Sequence, residues 1–224
     1  MRRLLLLLVL LLCGAVSAFA GPSQYEFVDW NNGIWQNGYP YEIAPDPNPT
    51  SQIYAVMCDD WAHGGYPGQV WSANVTNLGT QNISLARFNN IATPWALGPL
   101  QLYDEAGWIL QQTLNEPISE WKYMNYAVWH IFDSQAPLLG DAGMWIAEAQ
   151  QQAQMHFPGD NFADVWIITP VNQHDQNPNG PQEFLYLGNT APNGGQPTQT
   201  TPEPGTWLLM GTGALTLLGR KLWS

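Results

Sequence analysis

The sequence is poor in basic residues. Lysine and arginine together number 6, against 18 aspartates and glutamates, which gives a formal net charge of −12 at pH 7. Four of the basic residues are at the chain ends, so Arg87 and Lys122 are the only ones between residues 21 and 189. A body this acidic repels phosphate backbones and anionic lipid. The composition therefore excludes a nucleic-acid-binding protein, and it suits an extracellular surface or the binding of cations such as calcium.

Cysteine is also scarce, and the usual motifs of enzymes and zinc sites are missing. Of the two cysteines, Cys13 lies in the N-terminal apolar segment and Cys58 is alone in the rest of the chain. A lone cysteine forms no internal disulfide, and no CxxC or Cys/His set predicts structural zinc. G-x-S-x-G, H-E-x-x-H and P-loop motifs do not occur. We therefore expect no enzymatic activity and no cofactor, with calcium as the one alternative.

The N-terminus has the layout of a secretory signal peptide. Arg2 and Arg3 precede an unbroken apolar run over residues 4–12, and Ala18 and Ala20 fit the small-x-small rule for cleavage. The apolar run is too short to span a membrane as an uncleaved anchor. We predict cleavage after Ala20 and export of the remaining chain.

The C-terminus carries a second apolar segment, over residues 206–219. As a helix its 14 residues would cover about 21 Å at about 1.5 Å per residue, which is short for a hydrocarbon core of about 30 Å. Arg220 and Lys221 follow it and mark a cytoplasmic end under the positive-inside rule. We predict a transmembrane segment; the alternative is a buried C-terminal helix.

This tail begins with Pro202, Glu203 and Pro204. A Pro-Glu-Pro triplet, a short apolar segment and a basic cluster, in that order at the C-terminus, resemble the PEP-CTERM sorting signal of Gram-negative bacteria. The resemblance implies export, transient anchoring in the inner membrane and processing by an exosortase, a membrane cysteine transpeptidase. It also implies a cell-surface or extracellular protein associated with extracellular polysaccharide and biofilm.

Between the two ends, the hydrophobic patterns predict one α+β domain. Antiparallel strands are expected at both ends of it and about three helices in the centre. Apolar residues recur every three or four positions from Leu100 to Leu114 and again from Ile118 to Phe132. The predicted helices are 99–114, 117–132 and 141–156, and the clearest strands are 52–58, 70–76, 163–170 and 182–187. The predicted organisation is a signal peptide (1–20), a globular body (21–189), a flexible linker (190–201) and the sorting signal (202–224).

The densest group of chemically capable side chains is Cys58, Asp59, Asp60 and His63. A cysteine near a histidine can act as nucleophile and base, and adjacent carboxylates can bind a cation. Alternatively, Cys58 is a small buried hydrophobe, the aspartates cap a turn and His63 lies in a loop.

The body is also similar to the thioester domains of bacterial surface adhesins. Those domains join a cysteine to a glutamine in a Thr-Gln-x-Ala-Ile-Trp stretch, and they attach covalently to amines. Here the matching stretch is 124–129, with Asn125 where the glutamine would be. The alternative for Asn125 is a polar residue hydrogen-bonded within the helix packing. Three functions stay open: a non-enzymatic matrix protein, a glycan- or calcium-binding module, and a covalent adhesin acting through Cys58.

Overall fold

The computed structural model describes residues 23–30, 40–46, 52–91, 98–155, 162–171 and 180–192. All of them belong to one compact unit, Pro22–Gln196. The predicted signal peptide with Ala18 and Ala20, and the predicted tail with Pro202, Glu203, Pro204, Arg220 and Lys221, lie outside the described residues. Within the described ranges, no helix has the length and apolarity required to cross a membrane.

Six antiparallel strands form a closed barrel in the order β1-β2-β3-β6-β5-β4, with β4 pairing back to β1. The last strand in sequence therefore lies between β3 and β5 and closes the sheet. The strands are β1 Ser23–Trp30, β2 Tyr41–Pro45, β3 Tyr54–Cys58, β4 Val70–Asn77, β5 Val165–Pro170 and β6 Phe184–Leu187.

Aromatic side chains fill one region of the barrel core. Tyr25, Phe27, Tyr41, Trp71 and Phe184 come from four strands and all are at most 7% exposed. Phe184 contacts three of them, with ring centroids 5.9–6.1 Å apart. Such tilted ring pairs are favourable, and each large ring removes a large apolar area from water. These five aromatic residues therefore belong to the hydrophobic core.

Three α-helices follow one another in the described residues between β4 and β5: α1 Pro99–Gln112, α2 Ile118–Phe132 and α3 Ala142–Met155. Their positions agree with the predicted helices to within two residues. The apolar pattern does not fix the helix ends, however. Leu114 lies beyond the end of α1 and is 74% exposed, and Ile118 begins α2 and is 64% exposed.

The helices pack against one another and against one side of the barrel. Helix α1 contacts β6, and α2 contacts β3. Their apolar faces are fully buried there, for example at Leu102, Ile109 and Val128. The predicted α+β arrangement, with strands at both ends and three central helices, is confirmed; closure of the strands into a barrel was not predicted. This packing brings the middle of α2 to the end of β3, where Cys58 lies.

Candidate functional site

Cys58 is the last residue of β3 and has no exposed surface. Its sulfur donates a hydrogen bond to the Asp60 carbonyl oxygen at 3.4 Å and accepts one from the Asp60 N–H, also at 3.4 Å. Burial raises the pKa of the thiol well above its usual range, and the nearby Asp60 and Asp59 raise it further, although Trp129 partly opposes them. Because the thiolate is the nucleophilic form, this environment disfavours nucleophilic attack by Cys58.

Asn125, fully buried in the middle of α2, binds the backbone of Cys58. Its Oδ1 accepts a hydrogen bond from the Cys58 N–H at 3.3 Å, and its Nδ2 donates one to the Cys58 carbonyl at 3.0 Å. The described part of β2 pairs with β3 only as far as Val56. At Cys58, two residues beyond Val56, the carboxamide of Asn125 supplies the hydrogen-bond donor and acceptor that the backbone of a neighbouring strand would supply. The interpretation of Asn125 as a hydrogen-bonded residue within the packing is therefore confirmed.

Asp60 forms a buried ion pair with Arg87. The guanidinium of Arg87 donates to Oδ2 of Asp60, and His63 Nδ1 lies 2.8 Å from Oδ1. Arg87 also donates to the Pro181 carbonyl at 3.0 Å. Asp60 has no exposed surface and Arg87 is only 8% exposed. A buried charge of this kind is tolerated only when it is paired and hydrogen-bonded.

Glu183, next to β6, accepts hydrogen bonds from three separate segments. The Tyr103 hydroxyl donates to Oε1 at 2.5 Å, and the Arg87 N–H donates to Oε2 at 2.8 Å. The Thr169 hydroxyl also donates to Oε2. Burial raises the pKa of Glu183, and these hydrogen bonds oppose the rise. The Glu183 carboxylate is thus hydrogen-bonded to α1, to β5 and to the segment that contains Arg87.

Asp59 is a further ionisable group of this interior and has no exposed surface. Within the described ranges, no N–H or O–H group donates to its carboxyl oxygens. Burial, then Glu183, raises the pKa of Asp59 well above its usual range. A protonated Asp59 can donate to Glu183, and this hydrogen bond favours the ionised form of Glu183. Burial and the nearby Glu183 therefore both favour the protonated form of Asp59, whereas Asp60 is paired with Arg87.

Gln182 holds the loop after β3 against the barrel. Its Nε2 donates to the Asp60 carbonyl at 3.1 Å and to the His63 carbonyl at 2.5 Å. The loop therefore has a fixed position. Trp61 within it is 41% exposed, and its ring centroid lies 4.9 Å from that of the buried Trp129. The result is an indole at the surface, supported from beneath by a second indole.

The structure brings together all five residues selected in the body from the sequence: Cys58, Asp59, Asp60, His63 and Asn125. The carboxyl groups of Asp59 and Asp60 are buried in the protein interior, so the expectation that these residues cap a turn was wrong. No three His, Cys, Asp or Glu side chains in the described ranges are arranged to hold a metal ion. Calcium binding stays a prediction; Asp60 is already paired with Arg87, and Asp59 has no exposed surface.

The sequence analysis did not identify Arg87, Tyr103, Thr169, Gln182 or Glu183 as part of this cluster. One signal was present, since Arg87 is one of only two basic residues in an acidic body. An isolated arginine among many carboxylates is a candidate for a buried ion pair. Its partner could not be chosen, because Asp60 is 27 residues away along the chain.

Comparison with known proteins adds information about the tail. Residues 200–221 match the PEP-CTERM protein-sorting motif. The resemblance predicted from Pro202, Glu203 and Pro204 is thereby confirmed. The PEP-CTERM motif implies an exported protein that is transiently held in the membrane and processed by an exosortase. None of the curated proteins matches the chain.

Among solved structures, the chain is similar to the N-terminal thioester domain of a surface protein from Clostridium perfringens. The sequences are 10% identical, the match covers 75% of this chain and 99% of that domain, and the TM-score is 0.45. The neighbour belongs to the class of domains that the body resembles in sequence. A similarity at this level carries no information about chemistry, so the function of the body is argued from its own residues.

Proposed function

We propose that this chain is a non-enzymatic protein of the cell surface or extracellular matrix, delivered there by exosortase processing of its tail. The observation that carries the proposal is the PEP-CTERM motif at residues 200–221. Residues 1–20 supply the export signal, and the secretion machinery and exosortase are the expected partners. Association with extracellular polysaccharide in a biofilm is the expected role of the released body.

The buried cluster supports a structural role for the body's ionisable residues. Cys58, Asp59, Asp60 and Glu183 have no exposed surface, so a substrate would have no direct contact with them. Their hydrogen bonds and ion pairs connect β3, β5, β6, α1 and α2. Groups committed to one another in this way stabilise a fold, whereas a catalytic group needs access to the reacting atoms.

The sorting step is tested by replacing Glu203 with glutamine in the bacterium that produces the protein. We expect the Glu203→Gln chain to remain at full length in the membrane fraction, because the processing signal has lost its carboxylate. The wild-type chain should appear as a shorter, released form. Membrane and extracellular fractions are compared by immunoblotting and intact mass.

Glu148→Gln provides the matched control, since it makes the same chemical change at an exposed position of α3. This variant should be processed like the wild type. Normal cutting and release of Glu203→Gln would show that the tail does not act as the sorting signal.

A second candidate function is glycan binding through Trp61. Aromatic faces stack on sugar rings, and Trp61 combines 41% exposure with support from Trp129. We expect Trp61→Ala to weaken binding to the matrix polysaccharide of the producing bacterium by about tenfold. Ile53→Ala, at a position 52% exposed just before the first residue of β3, is the control. Equal sedimentation of the wild type and Trp61→Ala with the purified polysaccharide would remove this candidate.

A further inference from the structure

A separate cavity of about 290 Å³ lies between the C-terminal end of α2 and one face of α3. None of the residues of the Cys58 cluster lines it. Its volume is near the lower end of the range for small-molecule sites. The lining residues are His130, Ile131, Leu138, Gly143, Ile146 and Gln150.

Gly143 keeps one wall of this cavity open. Apart from the neighbouring residues and the backbone of its own helix, a Cβ atom added at this position would meet no atom within 4 Å. Glycine weakens a helix relative to alanine, and no close contact requires it here. The missing side chain therefore leaves space next to Ile146, which lies one turn further along α3.

The hydrogen bond that His130 makes outside the cavity decides which of its ring nitrogens can accept a hydrogen bond from a ligand. Its Nδ1 lies 2.8 Å from the Ala136 carbonyl oxygen. A carbonyl can only accept, so Nδ1 carries a proton, and in the neutral tautomer that this leaves, Nε2 is a hydrogen-bond acceptor. Gln150, on the same face of α3 as Gly143 and Ile146, contributes an amide that can donate or accept.

The remaining walls are apolar, formed by Ile131, Leu138 and Ile146. The surroundings disfavour anions, because Asp133 and Asp141 flank the loop between α2 and α3 and the whole chain carries a net charge of −12. From the volume, the apolar walls and the single fixed acceptor, we infer that this cavity binds a compact, uncharged ring alcohol. The hydroxyl donates to Nε2 of His130, and the ring lies against Ile131 and Ile146.

Cyclohexanol and cyclohexanone test this assignment without any mutation. The two rings have nearly the same size, but only the alcohol has a donor for Nε2. With the full chain in lipid nanodiscs and empty nanodiscs as the blank, saturation-transfer NMR measures both dissociation constants. The ketone should bind roughly two- to tenfold more weakly, because one hydrogen bond is lost. No binding of cyclohexanol, or equal binding of the two rings, would overturn the inference.

Two α3 variants locate the ligand. Gly143→Leu places a side chain in the cavity. It should weaken cyclohexanol binding roughly tenfold or more, because the leucine side chain and the ring compete for the same space. Met144→Leu changes a neighbouring residue that is 47% exposed and outside the cavity lining, and it should bind like the wild type. Unchanged binding by a folded Gly143→Leu chain would place the ligand elsewhere and refute the assignment.

Discussion

Replacing Arg87 by methionine should lower the free energy of unfolding by about 3–5 kcal/mol. The substitution keeps much of the side-chain volume but leaves the carboxylate of Asp60 buried without its countercharge. It also removes the hydrogen bond to the Pro181 carbonyl. The change is measured by denaturant unfolding of the full chain, followed by near-ultraviolet circular dichroism.

Two further variants show whether the effect comes from the ion pair. Lys122→Met removes the other basic residue of the body at an exposed position, and should change stability by less than about 0.5 kcal/mol. Combining Arg87→Met with Asp60→Asn removes both charges and should recover part of the loss. If Arg87→Met and Lys122→Met have equal, small effects, Arg87 does not compensate a buried charge.

The second large effect is expected at Asn125. Asn125→Leu should lower the free energy of unfolding by about 3 kcal/mol, because the Cys58 N–H and carbonyl lose their partners inside the protein. Asn125→Asp keeps the size and one acceptor but loses the donor to the Cys58 carbonyl, and should cause a comparable loss. Denaturant unfolding of both variants and the wild type provides the measurement.

The mass and the free thiol of the wild-type protein distinguish a packing role of Cys58 from a covalent role. With Cys58 buried and Asn125 bound to the backbone, the wild type should have an unmodified mass and a thiol that titrates only after unfolding. A mass lower by one ammonia, with no thiol until the protein is denatured in base, would show an internal thioester between Cys58 and Asn125. That result would favour the covalent adhesin over the structural role.

The local features of the fold could be predicted, because they depend on neighbouring residues. The three- to four-residue spacing in α1 and α2 places those helices to within two residues of the observed bounds. The helix ends were less accurate at Leu114 and Ile118, since an apolar residue beyond a helix end continues the pattern without being buried. The alternation in 52–58 likewise predicted β3.

Barrel closure and the buried ionic cluster could not be predicted, because they depend on contacts between distant residues. Pairing of β3 with β6 joins Cys58 to Phe184, and the Tyr103 hydroxyl meets Glu183 from 80 residues away. No local pattern distinguishes Glu183 from a solvated carboxylate next to a strand. The proximity of Cys58 and Asn125 was anticipated from a family resemblance, whereas the hydrogen bonds that join them required the structure.

The closed order of the six strands has a consequence for a protein displayed at high density. An open sheet has edge strands with unpaired N–H and carbonyl groups, which are templates for pairing with another molecule. Each of the six described strands has a neighbour on both sides. This part of the chain therefore offers crowded copies no edge strand through which they could extend one another's sheets, and their contacts would be made by side chains and loops. Substitutions of surface residues would then change how strongly the copies bind one another without changing the backbone.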